Sequence, residues 1–418
     1  MTDDTRPLAS RYALAFIFAT MLIDTIGLGI ILPVTPAIIK QLTGEDLSGA
    51  AGWGGWLMFV YALMQFLCAP AIGNLSDRFG RRPVLIVSLV ALAVDYAITG
   101  WAPTIAWLFV GRFLSGIAGA AYPTVNAYIA DVSPPEKRAA NFGLTGAAFG
   151  IGFVVGPAIG GIIGDHWGAR APFFVAAGFA LANALFGLVV LKESLPVEHR
   201  RKFEIRCAHP AGALRALRRF PMIVGLLGVT VLMRLAHDAL PSTWTFYTML
   251  RFHWTAAEVG YSLMAVGALT AFSFGVLPRL IVPRIGETRA VYVGLFFTGL
   301  GYAGYAVSSQ PWMIYAWMAV WALGGVGGPA LNAIMSRSVP ANEQGELMGA
   351  LASAGSITSI VAPLLLTNLF GWFTSGRAPV YFPGASFAAA ALFELGALAV
   401  FAAMQPRLVA RPVAAGRT

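Results

Sequence analysis

Apolar residues occur along this chain in runs of about 20, and Pro, Gly and charged residues cluster between the runs. A helix of that length crosses the hydrocarbon core of a bilayer. We therefore predict an all-α membrane protein with twelve transmembrane helices. The predicted spans are residues 11–33, 52–72, 84–102, 104–126, 140–163, 171–191, 221–244, 257–280, 289–308, 311–334, 343–370 and 385–404.

The composition agrees with this prediction. Of the 418 residues, 58% are hydrophobic and 11% are charged, whereas soluble domains carry about 25% charged residues. The first run contains Asp24 and lacks a small-x-small exit site, so we interpret it as a span and not as a cleaved signal. Cys68, Cys207 and the five scattered histidines indicate neither a disulfide framework nor a metal site.

Lys and Arg are distributed unequally between the loops on the two sides of the predicted bundle. Of the 28 Lys and Arg residues, 22 fall in the terminal segments and loops of one side and four in the loops of the other. The positive-inside rule then predicts that both termini are cytoplasmic. The basic residues sit in short loops between spans, so nucleic acid is not an expected partner. The segment 200–219 can lie on anionic lipid.

The chain resembles itself at an offset of 206 residues, where "YPTVNAYIADVSPPEKRAANFG" (122–143) aligns with "GPALNAIMSRSVPANEQGELMG" (328–349). The offset predicts two parallel six-helix halves, 1–191 and 221–418, joined by a basic linker, 192–220; chance matches among Gly- and Pro-rich helices are the alternative. Such halves enclose a site near the membrane midplane and rock around it. The paired positions are Arg78 with Arg284, Gly80 with Gly286, Pro123 with Pro329, Asn126 with Asn332, Pro134 with Pro340, Gly143 with Gly349 and Pro157 with Pro363.

Two short stretches carry recognisable chemistry. In "GNLSDRFGRRPV" (73–84), Gly73 and Gly80 allow a tight cytoplasmic turn, and Asp77 is within reach of Arg78, Arg81 and Arg82. This charge cluster can latch one conformation; the alternative is a simple positive-inside anchor. In "GIGFVVGPAIGG" (150–161), small residues at helical spacing permit close helix packing and the central proline bends the span. The residues of that stretch are Gly152, Gly156, Pro157, Gly160 and Gly161.

These stretches resemble the signature loop and the antiporter signature of the major facilitator superfamily. The closest resemblance, over nearly the whole chain, is to its tetracycline/proton antiporters. It is carried by "LIDTIGLGIILPVTP" (22–36), "YALMQFLCAPAIGNLSDRFGRRPVLIVSL" (61–89), "VDYAI" (94–98), "GRFLSGIAGA" (111–120), "FHWTAAEVGYSL" (252–263), "LGGVGGPALNAIMSR" (323–337) and "EQGELMGAL" (343–351).

The resemblance implies the major facilitator fold and roles for particular residues. Asp24 and Asp95 resemble the intramembrane acids of that family, and Arg112 resembles its buried arginine linked to proton transfer. The 73–84 cluster resembles the gating loop, and Gly156 with Pro157 the antiporter bend. A carboxylic acid buried near mid-span holds a proton more readily than in water, as a coupling site requires. A structural role, with the acid held by Arg112 or by backbone amides, is the alternative.

The chain also departs from that family. The antiporters carry a His in the eighth helix and an Asp in the ninth, where this sequence has Thr270 and Thr298. The seventh span instead contains "LMRLAHDALP" (232–241), whose charged and polar residues Arg234, His237 and Asp238 either line the cavity or, for Arg234 and Asp238, pair along their own helix. Glu394 is an isolated acid in the last span, which we expect to be a structural or lipid-interface residue.

The function that we predict is proton-coupled export of amphipathic drugs, possibly tetracycline-like, across a bacterial inner membrane by a monomer. Substrate would bind between the halves, near Asp24, Asp95 and the seventh-span residues. No cofactor is expected beyond the proton gradient, although Mg²⁺ could travel as a complex with the substrate. The alternatives are a transporter of a sugar, carboxylate or other metabolite, and a membrane enzyme. No clustered nucleophile, base or metal set supports an enzyme, and no Gly-Lys dipeptide supports an ATP-driven pump.

Overall fold

The structure is a computed structural model that describes residues 6–134, 137–200, 221–340 and 344–409. Most of the predicted basic linker and the chain termini lie outside these residues. The described chain forms seventeen α-helices and no β-strand. Their bounds are α1 Arg6–Ile31, α2 Thr35–Thr43, α3 Leu47–Phe79, α4 Arg81–Trp101, α5 Ile105–Gly119, α6 Tyr122–Val132, α7 Arg138–Trp167, α8 Ala171–Val190, α9 Pro221–His237, α10 Ala239–Phe252, α11 Ala256–Gly275, α12 Leu277–Ile285, α13 Glu287–Val307, α14 Pro311–Ala322, α15 Gly327–Arg337, α16 Gln344–Thr374 and α17 Ala385–Val409.

Eleven helical segments of the described chain are long and apolar enough to cross a membrane, and a bent pair, Ile17–Ile31 with Thr35–Thr43, makes a twelfth. The number agrees with the twelve predicted spans, and the all-α membrane fold is confirmed. Many helices continue beyond the predicted ends. For example, α3 contains 33 residues where the sequence predicted residues 52–72, because a helix can extend past the apolar core with polar residues on its surface.

Several predicted single spans are broken near their middle. The break between α5 and α6 falls at Ala120–Ala121, and that between α9 and α10 falls at Asp238. Between α14 and α15 the chain forms a 3₁₀ turn, Leu323–Val326, in a glycine-rich stretch. Irregular backbone at membrane depth is tolerated where surrounding protein satisfies its polar groups, and the apolar pattern of the sequence does not reveal it.

The helix bounds follow the offset found in the sequence. Gly80 and Gly286 both have positive φ, 103° and 77°, where they separate consecutive helices. Such a φ favours glycine, because a Cβ would be strained there. The helices that begin 206 residues apart are α4 and α13 at Arg81 and Glu287, α5 and α14 at Ile105 and Pro311, and α7 and α16 at Arg138 and Gln344. This agreement supports an internal repeat rather than chance matches.

The cytoplasmic turn predicted over 73–84 is shorter than expected. Helix α3 continues through Gly73 to Phe79, and Gly80 alone separates it from α4. Gly73 therefore has no part in the chain reversal, and that expectation was wrong. The reversal needs one residue with positive φ, which Gly80 supplies, and the flanking charged residues stay helical.

The chain divides into two compact units. Unit 1 comprises residues 1–208 and 248–268, and unit 2 comprises 209–247 and 269–418. In unit 1, α1 packs along α7 and α8, and α4 packs on α5 and α8. In unit 2, α17 packs on α9 and α13. The six-plus-six division of the chain stays a prediction.

Glycines bring α1 and α7 into direct backbone contact. A Cβ on Gly156 would lie 2.7 Å from the Ile26 carbonyl oxygen, and one on Gly160 would collide with the Ile30 carbonyl oxygen. From the other side, a Cβ on Gly29 would lie 2.7 Å from Pro157 Cδ. The predicted role of this stretch in close packing is thus observed. Helix α7 is continuous through Pro157, and the bend predicted there stays a prediction.

We expect Gly160→Val to destabilise unit 1 by about 1–3 kcal/mol or more, because the added methyl groups force α1 and α7 apart. Gly150→Val is a matched control on the same helix, since no atom lies within 4 Å of a Cβ at that position. Thermal unfolding of the two purified variants in detergent measures the difference. Equal melting temperatures would contradict the packing role.

Candidate functional site

Unit 1 encloses a cavity of about 230 Å³ between α1, α3, α4, α5, α6 and the start of α7. The exposed area of its wall is mainly apolar, and polar side chains reach it from α1, α3, α4, α5 and α6. Two of the predicted coupling residues, Asp24 and Asp95, and the predicted arginine, Arg112, all line it. The other polar residues of the wall are Thr20, Thr25, Tyr61, Gln65, Ser88, Tyr96, Ser115 and Tyr122.

Asp95 is fully buried and paired. Its Oδ2 lies 3.1 Å from Arg112 Nη2, and its Oδ1 accepts a hydrogen bond of 3.3 Å from Thr99 Oγ1. Helix α5 comes this close because Gly111 faces the carboxyl; a Cβ there would collide with Asp95 Oδ1. The structure therefore shows an Asp95–Arg112 ion pair, and the coupling role of Asp95 stays a prediction.

Asp24 differs from Asp95 because it has no ionic partner. It is half-buried in the cavity wall, and no residue of the described chain forms a hydrogen bond or ion pair with its carboxyl. The hydroxyls of Tyr61 and Tyr96 interact electrostatically with Asp24, Asp95 and Arg112. Asp24 is thus the acid of this cavity that is open to a proton or a ligand.

Gln65 and Asn183 tie the helices around the cavity together. Gln65 Nε2 donates to the Gly119 carbonyl oxygen at 3.2 Å, across α3 and α5, and Asn183 Nδ2 donates to the Thr20 carbonyl oxygen at 3.1 Å, across α8 and α1. Both bonds hold backbone groups near the cavity. The Asn183 bond restrains α1, which carries Asp24.

We expect Arg112→Gln to lower stability more than Asp95→Asn, because it leaves a fully buried carboxylate without its cation. Removing one partner of a buried pair costs roughly 3–5 kcal/mol, whereas asparagine at 95 still bonds to Thr99. Thermal unfolding at neutral pH checks the order. The double variant should recover part of the loss; additive losses would contradict the pairing.

The glycine stretch of α7 supports this site without lining it. A Cβ on Gly152 would lie 2.7 Å from Thr25 Cβ, one residue from Asp24. Further along α7, a Cβ on Gly161 would collide with the Ala256 carbonyl oxygen at the start of α11. Asp165 accepts hydrogen bonds of 3.0 Å from the backbone N–H groups of Ala256 and Ala257. The stretch therefore anchors α1 and α11 to α7.

The predicted gating residues form an ionic cluster where α3 meets α4 in unit 1. Arg81 Nη1 lies 2.5 Å from Asp77 Oδ1, and Arg81 Nε lies 3.4 Å from Asp131 Oδ2. Arg82 Nη2 donates to the Leu188 carbonyl oxygen at 2.7 Å. Arg78 does not join the cluster through a bond; its guanidinium lies 5.0 Å from the Phe79 ring centroid.

Glu193 completes this cluster, and the sequence analysis missed it. Its carboxylate accepts hydrogen bonds from the backbone N–H groups of Arg81, at 2.8 Å, and Arg82, at 3.3 Å. An acid at a helix N-terminus satisfies free N–H groups and opposes the helix dipole. Ser194 Oγ donates to Asp131 at 2.9 Å. Glu193 follows Arg81 by 112 positions in the chain, so no local spacing could have revealed it.

We expect Glu193→Gln to weaken the start of α4, because the charge that faces its N-terminus is lost. Hydrogen–deuterium exchange of the amides of Arg81, Arg82 and Val84 should accelerate about fivefold, equivalent to the ~1 kcal/mol typical of an N-cap. Glu198→Gln, an exposed acid in the following 3₁₀ turn, is the matched control. Equal exchange in the two variants would contradict the capping role.

The seventh-span residues lie at the break between α9 and α10, in unit 2. The His237 ring stacks on Trp321 at 6.4 Å, and Arg234 lies against α16, where a Cβ on Gly355 would be 3.2 Å from its guanidinium carbon. Asp238 interacts electrostatically with Arg234. Within the described chain no ion pair joins the two, so the predicted intrahelical salt bridge is not formed.

The remaining candidates are spread through both units. Asn126 is half-buried in α6 but is not among the residues that line the unit 1 cavity. Asn332 is exposed on α15. Thr298 contacts the 3₁₀ turn, where a Cβ on Gly324 would collide with its Oγ1, and Thr270 is half-buried. Glu394 is 2% exposed, which favours the structural role that the sequence allowed over a place at the lipid interface.

Comparison with known proteins agrees with this architecture. A family model described as Major Facilitator Superfamily matches residues 17–363. The class C tetracycline resistance protein of Escherichia coli is 39% identical over 361 residues, 86% of this chain and 90% of the relative. The class G protein of Vibrio anguillarum is 38% identical over 351 residues, 83% of this chain and 88% of the relative.

A solved structure supports the same fold. A bacterial homolog of the human lysosomal transporter Spinster superposes with a TM-score of 0.77 at 19% identity, covering 99% of this chain and 100% of the other. The chain belongs to the Major Facilitator Superfamily and, within it, to the family of the tetracycline resistance proteins. It is a multi-pass membrane transporter of small molecules and not an enzyme. The relatives support the predicted drug exporter over the alternative metabolite transporter.

Proposed function

We propose that this transporter exports tetracycline-like amphipathic drugs from the bacterial cytoplasm in exchange for protons. Relatives whose names record tetracycline resistance span most of its length. The observation that carries the proposal is the unit 1 cavity, in which Asp24 has no ionic partner while neighbouring Asp95 is paired with Arg112. One acid is free to exchange its proton, and the other holds a fixed arginine beside it.

Asp24 then couples the proton to the drug. A carboxylate in the cavity attracts a cationic or hydrogen-bond-donating group of the drug, and protonation removes that attraction. When a proton from outside neutralises Asp24, the drug is released outward. Loss of the proton to the cytoplasm prepares the site for the next drug. A ligand moves such an equilibrium only through its different affinity for the two states.

The cavity itself limits what can enter it. Pockets for drug-sized ligands are about 300–1,000 Å³, and the cavity is about 230 Å³. It is therefore proposed to receive the polar edge of the drug, with Tyr61, Tyr96 and Phe149 as aromatic walls. The remaining part of the drug lies outside this cavity.

We also propose that the protein lies in the bacterial inner membrane. Both of its termini are cytoplasmic, as the distribution of Lys and Arg favours. It works as a monomer with the lipid bilayer, the drug and protons as partners, and it does not bind nucleic acid. No cofactor takes part; Mg²⁺ travels as part of the drug complex.

We expect Asp24→Asn to abolish proton-driven tetracycline uptake into everted membrane vesicles, because asparagine cannot exchange a proton. Asp46→Asn is the matched control, since Asp46 caps α3 and asparagine caps a helix equally well. Both variants should reach wild-type levels in the membrane and keep the melting temperature of the folded protein. Unchanged uptake by Asp24→Asn would refute the coupling role.

The same vesicle assay tests whether tetracycline is a substrate and whether it is transported as its Mg²⁺ complex. Wild-type vesicles that never accumulate tetracycline would refute the drug assignment. Omitting Mg²⁺ and adding a chelator should reduce uptake if the drug travels as its magnesium complex. Uptake that does not depend on Mg²⁺ would refute that part of the proposal.

A further inference from the structure

Unit 2 buries a second acid that the proposed mechanism does not use. Glu394 lies in the middle of the face of α17 that packs on α9 and α13, and its side chain is 2% exposed. Phe387 and Phe401, one heptad before and after it, are fully buried on the same face. Helix α13 comes close because Gly299 faces the acid, where an added Cβ would be 3.2 Å from Glu394 Cβ.

Within the described chain, four polar atoms around this position form no hydrogen bond of good geometry. They are Glu394 Oε2, the Tyr302 hydroxyl oxygen, Trp321 Nε1 and Asp238 Oδ2. The Tyr302 hydroxyl interacts electrostatically with both Glu394 and Asp238. Trp321 packs against Gly301, next to Tyr302, and its ring stacks on His237, next to Asp238. Trp321 Nε1 approaches the same hydroxyl without forming a well-aligned hydrogen bond. Buried polar groups without partners are destabilising, and their convergence from three helices and one helix break indicates a site.

No nearby cation neutralises Glu394 in the described part of unit 2. At the end of α9, Arg234 interacts electrostatically with His237 and with the adjacent Asp238. Neither Arg234 nor His237 forms an ion pair with Glu394. From α13, the facing titratable group is Tyr302. Helix α16 has no ionisable side chain between Leu347 and Thr374. A carboxylate without a cation is costly in this apolar setting.

We propose that Glu394 is a second proton-binding site of this transporter and exchanges its proton with Asp238 through the Tyr302 hydroxyl. The inference rests on the proposed proton-coupled function. The bound species is a proton and not a metal ion, because the indole N–H is only a donor and hard cations need six or more oxygen ligands. The described residues also contain no group of three His, Cys, Asp or Glu side chains that could hold a metal.

The transfer is balanced. The Glu394 carboxylic O–H bond breaks as its proton binds the Tyr302 oxygen, and the original Tyr302 proton passes to an Asp238 carboxylate oxygen. Glu394 becomes a carboxylate, Tyr302 remains a neutral phenol and Asp238 becomes a carboxylic acid. Asp238 is half-buried whereas Glu394 is buried, so Asp238 is the end of the relay at which protons enter and leave.

The test uses the full purified chain in detergent and the variants Glu394→Gln, Tyr302→Phe and Asp24→Asn. Infrared spectra over a pH series report the C=O band of protonated carboxylic acids. A pH indicator in weakly buffered solution reports protons released when tetracycline is added, and fluorescence reports tetracycline binding. Glutamine keeps the shape of the protonated acid but cannot release a proton.

We expect the C=O band of protonated Glu394 in the spectra of wild type and of Asp24→Asn. The band should be missing from the spectrum of Glu394→Gln. The band should lose intensity as pH rises and when tetracycline binds to wild type. Glu394→Gln should bind tetracycline as wild type does but release roughly half as many protons. Tyr302→Phe should keep the band and slow its response to a pH jump, because the relay is interrupted.

A band that responds to neither pH nor drug, with equal proton release from Glu394→Gln and wild type, would overturn the proposal. If Glu394→Gln does not fold, Glu394→Asp should shift the band instead of removing it, and an unshifted band would be contrary evidence. A Glu394 band that titrates with pH in a protein that does not bind tetracycline would support the proton site while refuting the proposed substrate. The two proposals therefore fail separately.

Discussion

The cost of an uncompensated charge in the membrane interior governs where this protein places its acids. Asp95 is completely buried, and Arg112 lies 3.1 Å from it. Asp24 has no such partner, but it borders a cavity instead of being enclosed. Glu394 is enclosed and has no cation, which leaves a bound proton as the means of neutralising it. The cost of the charge is thus lowered by a cation at Asp95, by a cavity at Asp24 and by a bound proton at Glu394. Of these three acids, we assign proton exchange to the two without a cation.

Close backbone packing makes these arrangements possible. Gly152, Gly156 and Gly160 let α7 pack directly against α1, the helix that carries Asp24. In the same way, Gly111 allows α5 to approach Asp95, and Gly299 allows α13 to approach Glu394. Van der Waals contact between small residues is the main source of helix association in lipid, where apolar side chains gain little from leaving the surrounding hydrocarbon. The glycines thus determine both stability and the position of the charges.

The ionic cluster at the start of α4 is less buried than the Asp95–Arg112 pair. Its acids are partly solvated, and Arg81 contacts Asp77 and Asp131 at once. Glu193 adds bonds to the first N–H groups of α4. Exposed ion pairs of this kind are individually weak, so the cluster can form and break during a transport cycle more easily than the buried Asp95–Arg112 pair. This difference favours the predicted gating role of the cluster, whereas the buried pair joins α4 to α5.

The sequence by itself determined the membrane class, the number of spans and the offset of 206 residues, because apolar run length and local motifs encode them. Of the residues that line the unit 1 cavity it indicated Asp24 and Asp95 as intramembrane acids, and the resemblance to the tetracycline antiporters added Arg112. Only the tertiary structure decided that Asp95 is paired and Asp24 is not, that Gly73 lies inside a helix, and that Glu193 caps α4. It also decided that Glu394 faces the interior, since the last span is apolar around its whole circumference and its pattern does not distinguish a protein-facing side from a lipid-facing one. These features depend on which helix lies opposite a residue, and that is settled by contacts between segments far apart in the chain.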